Sequence, residues 1–276
     1  MSTLQYTDLT VRYGHGAGAR LAVQGVDLTV ASGGVHGLVG ESGSGKSTLA
    51  AAAVGLVRPV AGTIRLDGVD IAGSSATART ARRRVQLIFQ DPFSALDPRM
   101  PVGASIAEAM RARGRRPTRA EKTRRVGELL RRVHLDPARA GDLPAAFSGG
   151  QRQRVTIARA LAAEPDVIIA DEITSALDVS VQGVVLNLLR ELRAELDLTI
   201  LFISHNLAVV RYVCDTVSVM RHGRIVESGD TDGVLSMPRD PYTRELVAAV
   251  PVMGERFDQR FDQRFDQRFD WGEESQ

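Results

Sequence analysis

The chain has 276 residues, of which 43% are hydrophobic and 25% charged, ordinary proportions for a folded protein of one or two domains with a substantial core. A net charge of +2 gives no strong field for nucleic acid, and the single cysteine, Cys214, excludes a disulfide framework or a four-cysteine metal site and fits a reducing, cytoplasmic setting. The N-terminus lacks the basic start and apolar stretch of a signal peptide, and no apolar run approaches the ~18 residues of a bilayer span, so the chain is expected to be soluble and able to dock on a membrane protein.

The first segments, LQYTDLTVRY and LAVQGVDLTV, alternate like strands of an antiparallel layer. VHGLVGESGSGKSTLAAAAVGL then reads as strand, glycine-rich loop and helix: an apolar run at 35–39, the loop, and an alanine-rich stretch after Thr48. Gly40, Gly45, Lys46 and Ser47 satisfy G-x-x-x-x-G-K-[ST], with Glu41, Ser42, Gly43 and Ser44 between them. Glycines let backbone N–H groups curl around phosphate oxygens, and the helix N-terminus adds partial positive charge. Lys46 would contact the β- and γ-phosphates, and the Ser47 hydroxyl would ligate Mg²⁺. Lys46 and Lys122 are the chain's only lysines, which makes a lysine at this position informative. The segment is read as a nucleoside triphosphate site rather than a chance glycine loop.

Further on, the apolar run 85–89 ends in Gln90. The chain then changes character, and SIAEAMRARG and RAEKTRRVGELLRRVHL read as charged helices. Acidic residues interrupt their arginines, which favours a solvated helix face over a nucleic-acid patch. SGGQRQRVTIARAL, from Ser148, gives a second helix N-terminus able to face an anion, or simply a capped helix with a basic face. The run 167–170 ends in Asp171 and Glu172, and continuous apolar runs of this length suit a parallel strand covered on both faces. Ligands gather at the carboxyl ends of such strands, so Asp171 could reach Mg²⁺ through water and Glu172 could polarise an attacking water. Apolar residues at 181, 184, 185, 188, 189 and 192 give one helical stripe, a core face. The run 198–204 ends in His205, and two short strands follow around a turn at His222 and Gly223. A lone Gln or His is ordinarily structural; what raises Gln90 and His205 is their shared place at strand ends. From Arg256 a four-residue RFDQ repeat stacks like charges at i,i+4 if helical, so 256–276 reads as a low-complexity, disordered extension, with an aromatic docking segment as the alternative.

Together these segments resemble the ATP-binding subunit of an ATP-binding cassette (ABC) transporter, over about residues 4–251. The P-loop spans Gly40 to Thr48, the glutamine loop falls at Gln90, and SGGQ at Ser148, Gly149, Gly150 and Gln151 is the family's own motif. Asp171 and Glu172 match the Walker B pair, SALD ending in Asp178 the D-loop, and His205 the switch histidine. The resemblance implies an α/β fold: a P-loop NTPase (RecA-like) core with an antiparallel β layer and a helical subdomain inserted at about 91–165, within one domain of residues 1–255. It further implies ATP and Mg²⁺ as cofactors, with Ser47, Gln90 and Asp171 around the metal and Glu172 and His205 as catalytic groups. Ser148 to Gln151 and Asp178 would lie at the seam with a second cassette, holding the nucleotide bound by that partner. Tyr13 would stack on adenine, with packing as its other reading because the loop GHGAGAR blurs the alignment.

FQDPFSALDPRM, SALDVSVQ and MPRDPYTRELVAAVP look like ATPase subunits of dipeptide, oligopeptide and nickel importers. Asp97, Ile173 and Asn206 depart from that pattern, where asparagine, proline and aspartate are usual, and no cysteine-bearing segment follows PYTR. The resemblance implies a peripheral ATPase on the cytoplasmic face of the membrane, driving uptake of a solute, foremost a peptide. Its partners would be a second ATPase, self or paralogue, two permease subunits and an external solute-binding protein, with no nucleic acid. The alternative is a non-transport ABC ATPase of DNA repair, chromosome structure or translation.

Overall fold

The structure, a computed structural model, describes residues 2–14, 20–112, 114 and 117–249. The RFDQ repeat at 256–276, with the expectation of disorder there, and most of the loop after Tyr13 lie outside the described residues.

In chain order the elements begin with β1 (Leu4–Tyr13), β2 (Arg20–Val30), β3 (Val35–Val39), α1 (Lys46–Ala53), β4 (Ala61–Leu66), β5 (Val69–Asp70), α2 (Ala76–Arg82) and β6 (Val85–Ile88). Next come α3 (Pro92–Ala95), α4 (Val102–Ala109), α5 (Arg119–Arg132), two 3₁₀ turns (Pro137–Gly141 and Pro144–Ala146) and α6 (Gly149–Ala162). The chain returns to the sheet with β7 (Val167–Asp171), α7 (Val179–Leu196), β8 (Thr199–Ile203), α8 (Leu207–Val213), β9 (Thr216–Arg221), β10 (Arg224–Asp230), α9 (Thr231–Ser236) and α10 (Pro241–Ala248).

Two sheets result. One has the order β2-β1-β4-β5 and is antiparallel; the other has the order β10-β9-β3-β8-β7-β6, parallel from β6 to β9 with β10 antiparallel at its edge. The parallel strands are mostly apolar because both faces are covered. Leu38, Ile169, Leu201 and Ile203 pack with α1 and the antiparallel sheet, while Val39, Ile168, Ala170, Ile200 and Phe202 pack with residues of α6, α7 and α8. Alternate residues of one strand point to opposite faces, so each strand joins two cores.

The helices α3 to α6 occupy the chain between β6 and β7. In α5 only Val126, Leu129 and Leu130 are buried, a narrow apolar stripe that leaves its charged residues in solvent. Thr118 caps this helix by accepting from the N–H of Glu121 at 3.2 Å.

Two expectations are corrected in detail. The strand expected over 85–89 ends at Ile88, and Phe89 is left largely exposed. On α7 the core face is rotated: Leu186 is buried with Val185, Leu188, Leu189 and Leu192, whereas Val184 is exposed and Val181 only half-buried. The first turn of α7 turns its Val181 side towards α6 instead of the sheet, as the next section describes.

Candidate active site

The parallel register puts the expected polar residues side by side. Leu38 and Asp171 both pair with Ile203, and Ile88 pairs with Ala170. The residues just past these pairs are therefore neighbours at the carboxyl edge of the sheet: the loop from Gly40, Glu172, His205 and Gln90. A parallel sheet gathers such strand ends on one edge wherever they fall in sequence.

The loop itself is held tightly. Gly45 caps α1 with φ of 113°, and a Cβ there would lie 2.3 Å from the carbonyl oxygen of Ala22, so this position needs glycine on both conformational and steric grounds. No side chain caps α1, and the N–H groups of a helix's first turn lack intrahelical partners, which suits them to phosphate oxygens. Lys46 is buried and donates from Nζ to the carbonyl oxygens of Gly40 and Glu41, each at 2.8 Å, and to Ser44 Oγ at 3.4 Å. Burial pulls its pKa below the usual value, opposed by Glu172, Asp171 and Glu41.

Asp171 is also buried; burial raises its pKa, the Ser47 hydroxyl bonding to it lowers it, and Glu172 and Lys46 act in opposite directions. Its Oδ1 is buried with no hydrogen-bond partner. An unpartnered buried carboxylate oxygen is costly, and one lying beside a hydroxyl offers two hard oxygen donors to a small divalent cation. Ser47 and Asp171 are thus the residues able to hold a metal. No group of three or more His, Cys, Asp or Glu among the described residues is placed to hold a metal ion, so a cation here would need further ligands from other groups, water or substrate.

Glu172 sits at φ of 48°, a region that non-glycine residues seldom adopt and that recurs at functional sites. Its N–H donates to the carbonyl of Ile203 at 2.9 Å, and its own carbonyl accepts from the N–H and Oγ of Ser175 at 3.0 and 2.9 Å. The turn aims the carboxylate at His205, whose Nδ1 lies 3.3 Å from Oε1. Gln90 joins the same turn, donating from Nε2 to Ser175 Oγ at 3.2 Å. Asn206 caps α8, its Oδ1 accepting from the N–H groups of Ala208 and Val209 at 3.0 and 3.4 Å. An asparagine oxygen performs this as an aspartate would, so this departure keeps the cap behind His205. Ile173 is fully buried, and Asp97 Oδ1 accepts from the Arg99 N–H at 2.9 Å in a turn.

The structure does not bring Ser148 into this group. Ser148 Oγ accepts from the Gln151 N–H at 3.3 Å and Gln151 Oε1 accepts from the Ser148 N–H at 3.0 Å, a capping box that starts α6. Gly149 is half-buried, and Gly150 is buried where a Cβ would meet Val181 Cγ1 at 2.2 Å. Asp178 begins α7, exposed and without a side-chain capping bond. Tyr13 ends β1 opposite Arg20 and is 46% exposed.

Sequence reasoning missed three supports of the loop. The N–H of Gly223, in the turn between β9 and β10, donates to the Ser44 carbonyl at 2.8 Å. The hydroxyl of Tyr242 on α10 accepts from the Glu41 N–H at 3.0 Å. His36, inside β3, places Nδ1 and Nε2 each 2.8 Å from the hydroxyls of Thr216 and Ser218. The only available signal was PYTREL, read as a mark of a subfamily; the other partners are too distant in sequence to be paired by pattern.

Known proteins resemble this chain over most of its length. The family described as ABC transporter matches residues 23–175. A Brucella ovis protein bearing the provisional name peptide import ATP-binding protein is 50% identical over 227 residues, covering 82% of this chain and 71% of its own. A Brucella abortus protein with the same form of name is 47% identical over 239 residues, 85% of this chain and 71% of its own. Among solved structures, the ATP-binding cassette MJ0796, in a dimeric post-hydrolysis state bound to ADP and Pi, superposes with a TM-score of 0.74 at 27% identity, covering 83% of this chain and 98% of that one. The cbiO1 protein of Clostridium perfringens, part of the ABC transporter complex cbiONQ, gives 0.75 at 28% identity, covering 92% and 98%. By these matches the chain belongs to the ABC transporter family, as one of its ATPases.

Proposed function

We propose that the chain is the ATP-hydrolysing subunit of an importer, most directly of peptides, and that it works as one of two cassettes facing each other. The observation that carries this reading is the division of the site. Lys46, Asp171, Glu172 and His205 gather at one sheet edge, while Ser148 makes its bonds within α6. A second cassette placed head to tail would bring its Ser148 to the γ-phosphate held here, as the family resemblance implies. Triphosphate then joins the two halves, and hydrolysis removes the link.

Within that frame each residue has a task. The N–H groups from Gly43 to Thr48 bind phosphate oxygens, and Lys46, seated by the loop carbonyls, reaches the β- and γ-phosphates. Ser47 and Asp171, with Gln90, would hold Mg²⁺, which supplies charge neutralisation between the phosphates. Glu172 orients and deprotonates the attacking water, and His205, 3.3 Å from it, fixes the γ-phosphate against that water. Asp178 lies at the seam, Gly149, Gly150 and Gln151 shape the opposing wall, and Tyr13 is placed beside adenine. The domain would comprise residues 1–255, with about 91–165 as its inserted helical part.

The permease would seat beside Gln90. There Val54, Leu56, Val85, Leu87 and Phe89, with Arg79, Arg82, Arg83 and Gln86, line a shallow groove of about 400 Å³, and Leu56 and Phe89 are 63% and 48% exposed. No helix among the described residues is long and apolar enough to cross a membrane, so attachment at the cytoplasmic face would be through such partners. Peptide as the solute is supported by the names of the Brucella relatives, and a solute-binding protein would deliver it.

The test is hydrolysis and association in Glu172→Gln. This variant should bind ATP, lose turnover by about 10²–10⁴-fold, the span of a removed general base, and accumulate as an ATP-held pair of cassettes that Ser148→Arg dissociates. Hydrolysis at the wild-type rate in Glu172→Gln would overturn the catalytic assignment.

A further inference from the structure

The C-terminal part of the chain reaches back to the phosphate loop at one peptide. Glu41 is fixed from both sides: its N–H donates to the Tyr242 hydroxyl at 3.0 Å, and its carbonyl accepts from Lys46 Nζ at 2.8 Å. Tyr242 is 2% exposed, so its place is set by packing. Its ring lies under the Arg221 guanidinium, 4.5 Å from the centroid, and Arg221 follows Met220, whose carbonyl borders Gly40 closely enough that a Cβ there would stand 2.1 Å away. The start of α10 is anchored as firmly. Asp240 Oδ1 accepts from the Tyr242 N–H at 2.8 Å, and the Glu227 carboxylate on β10 accepts from the N–H groups of Arg239 and Asp240 at 2.9 and 3.0 Å. Burial works against that carboxylate's charge, yet these N–H groups hold its pKa below the usual value. The result is an unbroken path of directed bonds from β10 through α10 to the lysine of the loop.

We propose that Tyr242 is a positioning residue for nucleotide binding: its hydroxyl fixes the Glu41 peptide, whose carbonyl in turn seats Lys46 at the mouth of the loop. The proposal rests on the reading of residues 40–48 as the phosphate cradle. A glycine-rich loop loses more backbone freedom than other segments when it closes on a ligand. A bond that orders one of its peptides in advance lowers that cost, and so strengthens binding without touching the chemical step. The ring of Tyr242 serves the core, but only the hydroxyl serves the loop, and phenylalanine separates the two.

The experiment is a titration of the full chain with MgATP, run beside steady-state hydrolysis, for wild type, Tyr242→Phe and Val126→Ala. Val126 lies in the buried stripe of α5, so its variant controls for a general loss of stability. Tyr242→Phe should weaken ATP affinity and raise KM by about 3- to 10-fold, the range one net hydrogen bond covers, with kcat within about twofold because the bond acts before the transition state. Val126→Ala should lower Tm and leave affinity alone. Unchanged affinity in Tyr242→Phe would overturn the proposal while leaving the cradle intact. An equal loss in both variants would overturn it as a mere effect of stability. A wild-type chain that fails to bind ATP would remove the cradle reading itself, and this inference with it.

Discussion

Replacing Gly150 by alanine should destabilise the protein, against the ordinary expectation for a helix. Gly150 is the second residue of α6, and its backbone lies outside the left-handed region, so alanine should improve intrinsic helix stability by up to about 1 kcal/mol. The new Cβ, however, would fall 2.2 Å from Cγ1 of Val181, in the first turn of α7. Valine on a helix has one strongly preferred χ1 rotamer and cannot swing aside freely. Forcing it, or parting the helices, carries the overpacking cost of about 1–3 kcal/mol. The clash therefore wins by about 1 kcal/mol, and by up to about 2 kcal/mol. Val181→Ala alone removes two methyl groups from a half-buried position and should cost about 1 kcal/mol. The double variant loses both the clash and the bulk, and should return to within about 1 kcal/mol of wild type, a coupling of about 2 kcal/mol in a double-mutant cycle. Urea unfolding of the four proteins, with equal m-values, measures this. Additive losses, or a Gly150→Ala protein more stable than wild type, would refute the reasoning. Because Ser148 stands two residues away, Gly150→Ala should also depress ATPase activity, and Val181→Ala should restore part of it.

Two further outcomes follow from the loop and its strand. Burial pushes the His36 imidazole down to about 4, whereas an unfolded histidine takes up its proton near 6.5; the unfolded chain therefore gains the proton first, and stability complete above about pH 6.5 falls by about 3 kcal/mol as the pH drops to about 4. His36→Gln should flatten that part of the stability profile, and a ring that titrates near 6.5 by NMR in the folded protein would contradict the assignment. Gly45→Ala must meet the Ala22 carbonyl at 2.3 Å, whereas Gly43→Ala, at φ of 79°, meets no atom within 4 Å. Gly43→Ala should then lose only the left-handed backbone penalty of about 1–2 kcal/mol, and Gly45→Ala clearly more; equal thermal shifts for the two would show that the close approach to β2 is absent.

What was legible in the sequence was what the backbone encodes locally. Continuous apolar runs named the strands β3, β7 and β8, and the polar residues ending them fell at one sheet edge because parallel strands align their carboxyl ends. What was hidden depended on where distant segments land. His36 interrupts an apolar run as though it were an error, and its partners Thr216 and Ser218 lie on β9, the neighbouring strand, 180 positions away. In the sequence Gly150 stands in a motif expected at the seam with a second cassette; in the fold its lack of a side chain also serves contact with Val181. That contact explains the α7 stripe as well: its first turn answers to α6, so the core face begins only with Gly183, Val185 and Leu186. Periodicity assumes one partner surface per helix, and α7 has two.

The capping box at Ser148 also bears on how the proposed pair of cassettes would close. A serine hydroxyl has two acceptor lone pairs and one proton. The box uses the oxygen as acceptor, from the Gln151 N–H at 3.3 Å, which leaves the Oγ–H as a donor at the exposed start of a fourteen-residue helix. The geometry is therefore set before any phosphate arrives, with a donor free at the helix start. Across the fold, Lys46 is bonded to the loop's own carbonyls, so the cradle too is ordered in advance. The Ser148 hydroxyl and the Lys46 ammonium, both donors, gain little from each other directly. On the proposed reading a triphosphate between them joins the pair, and the step that opens it is loss of the γ-phosphate rather than any rearrangement of α6.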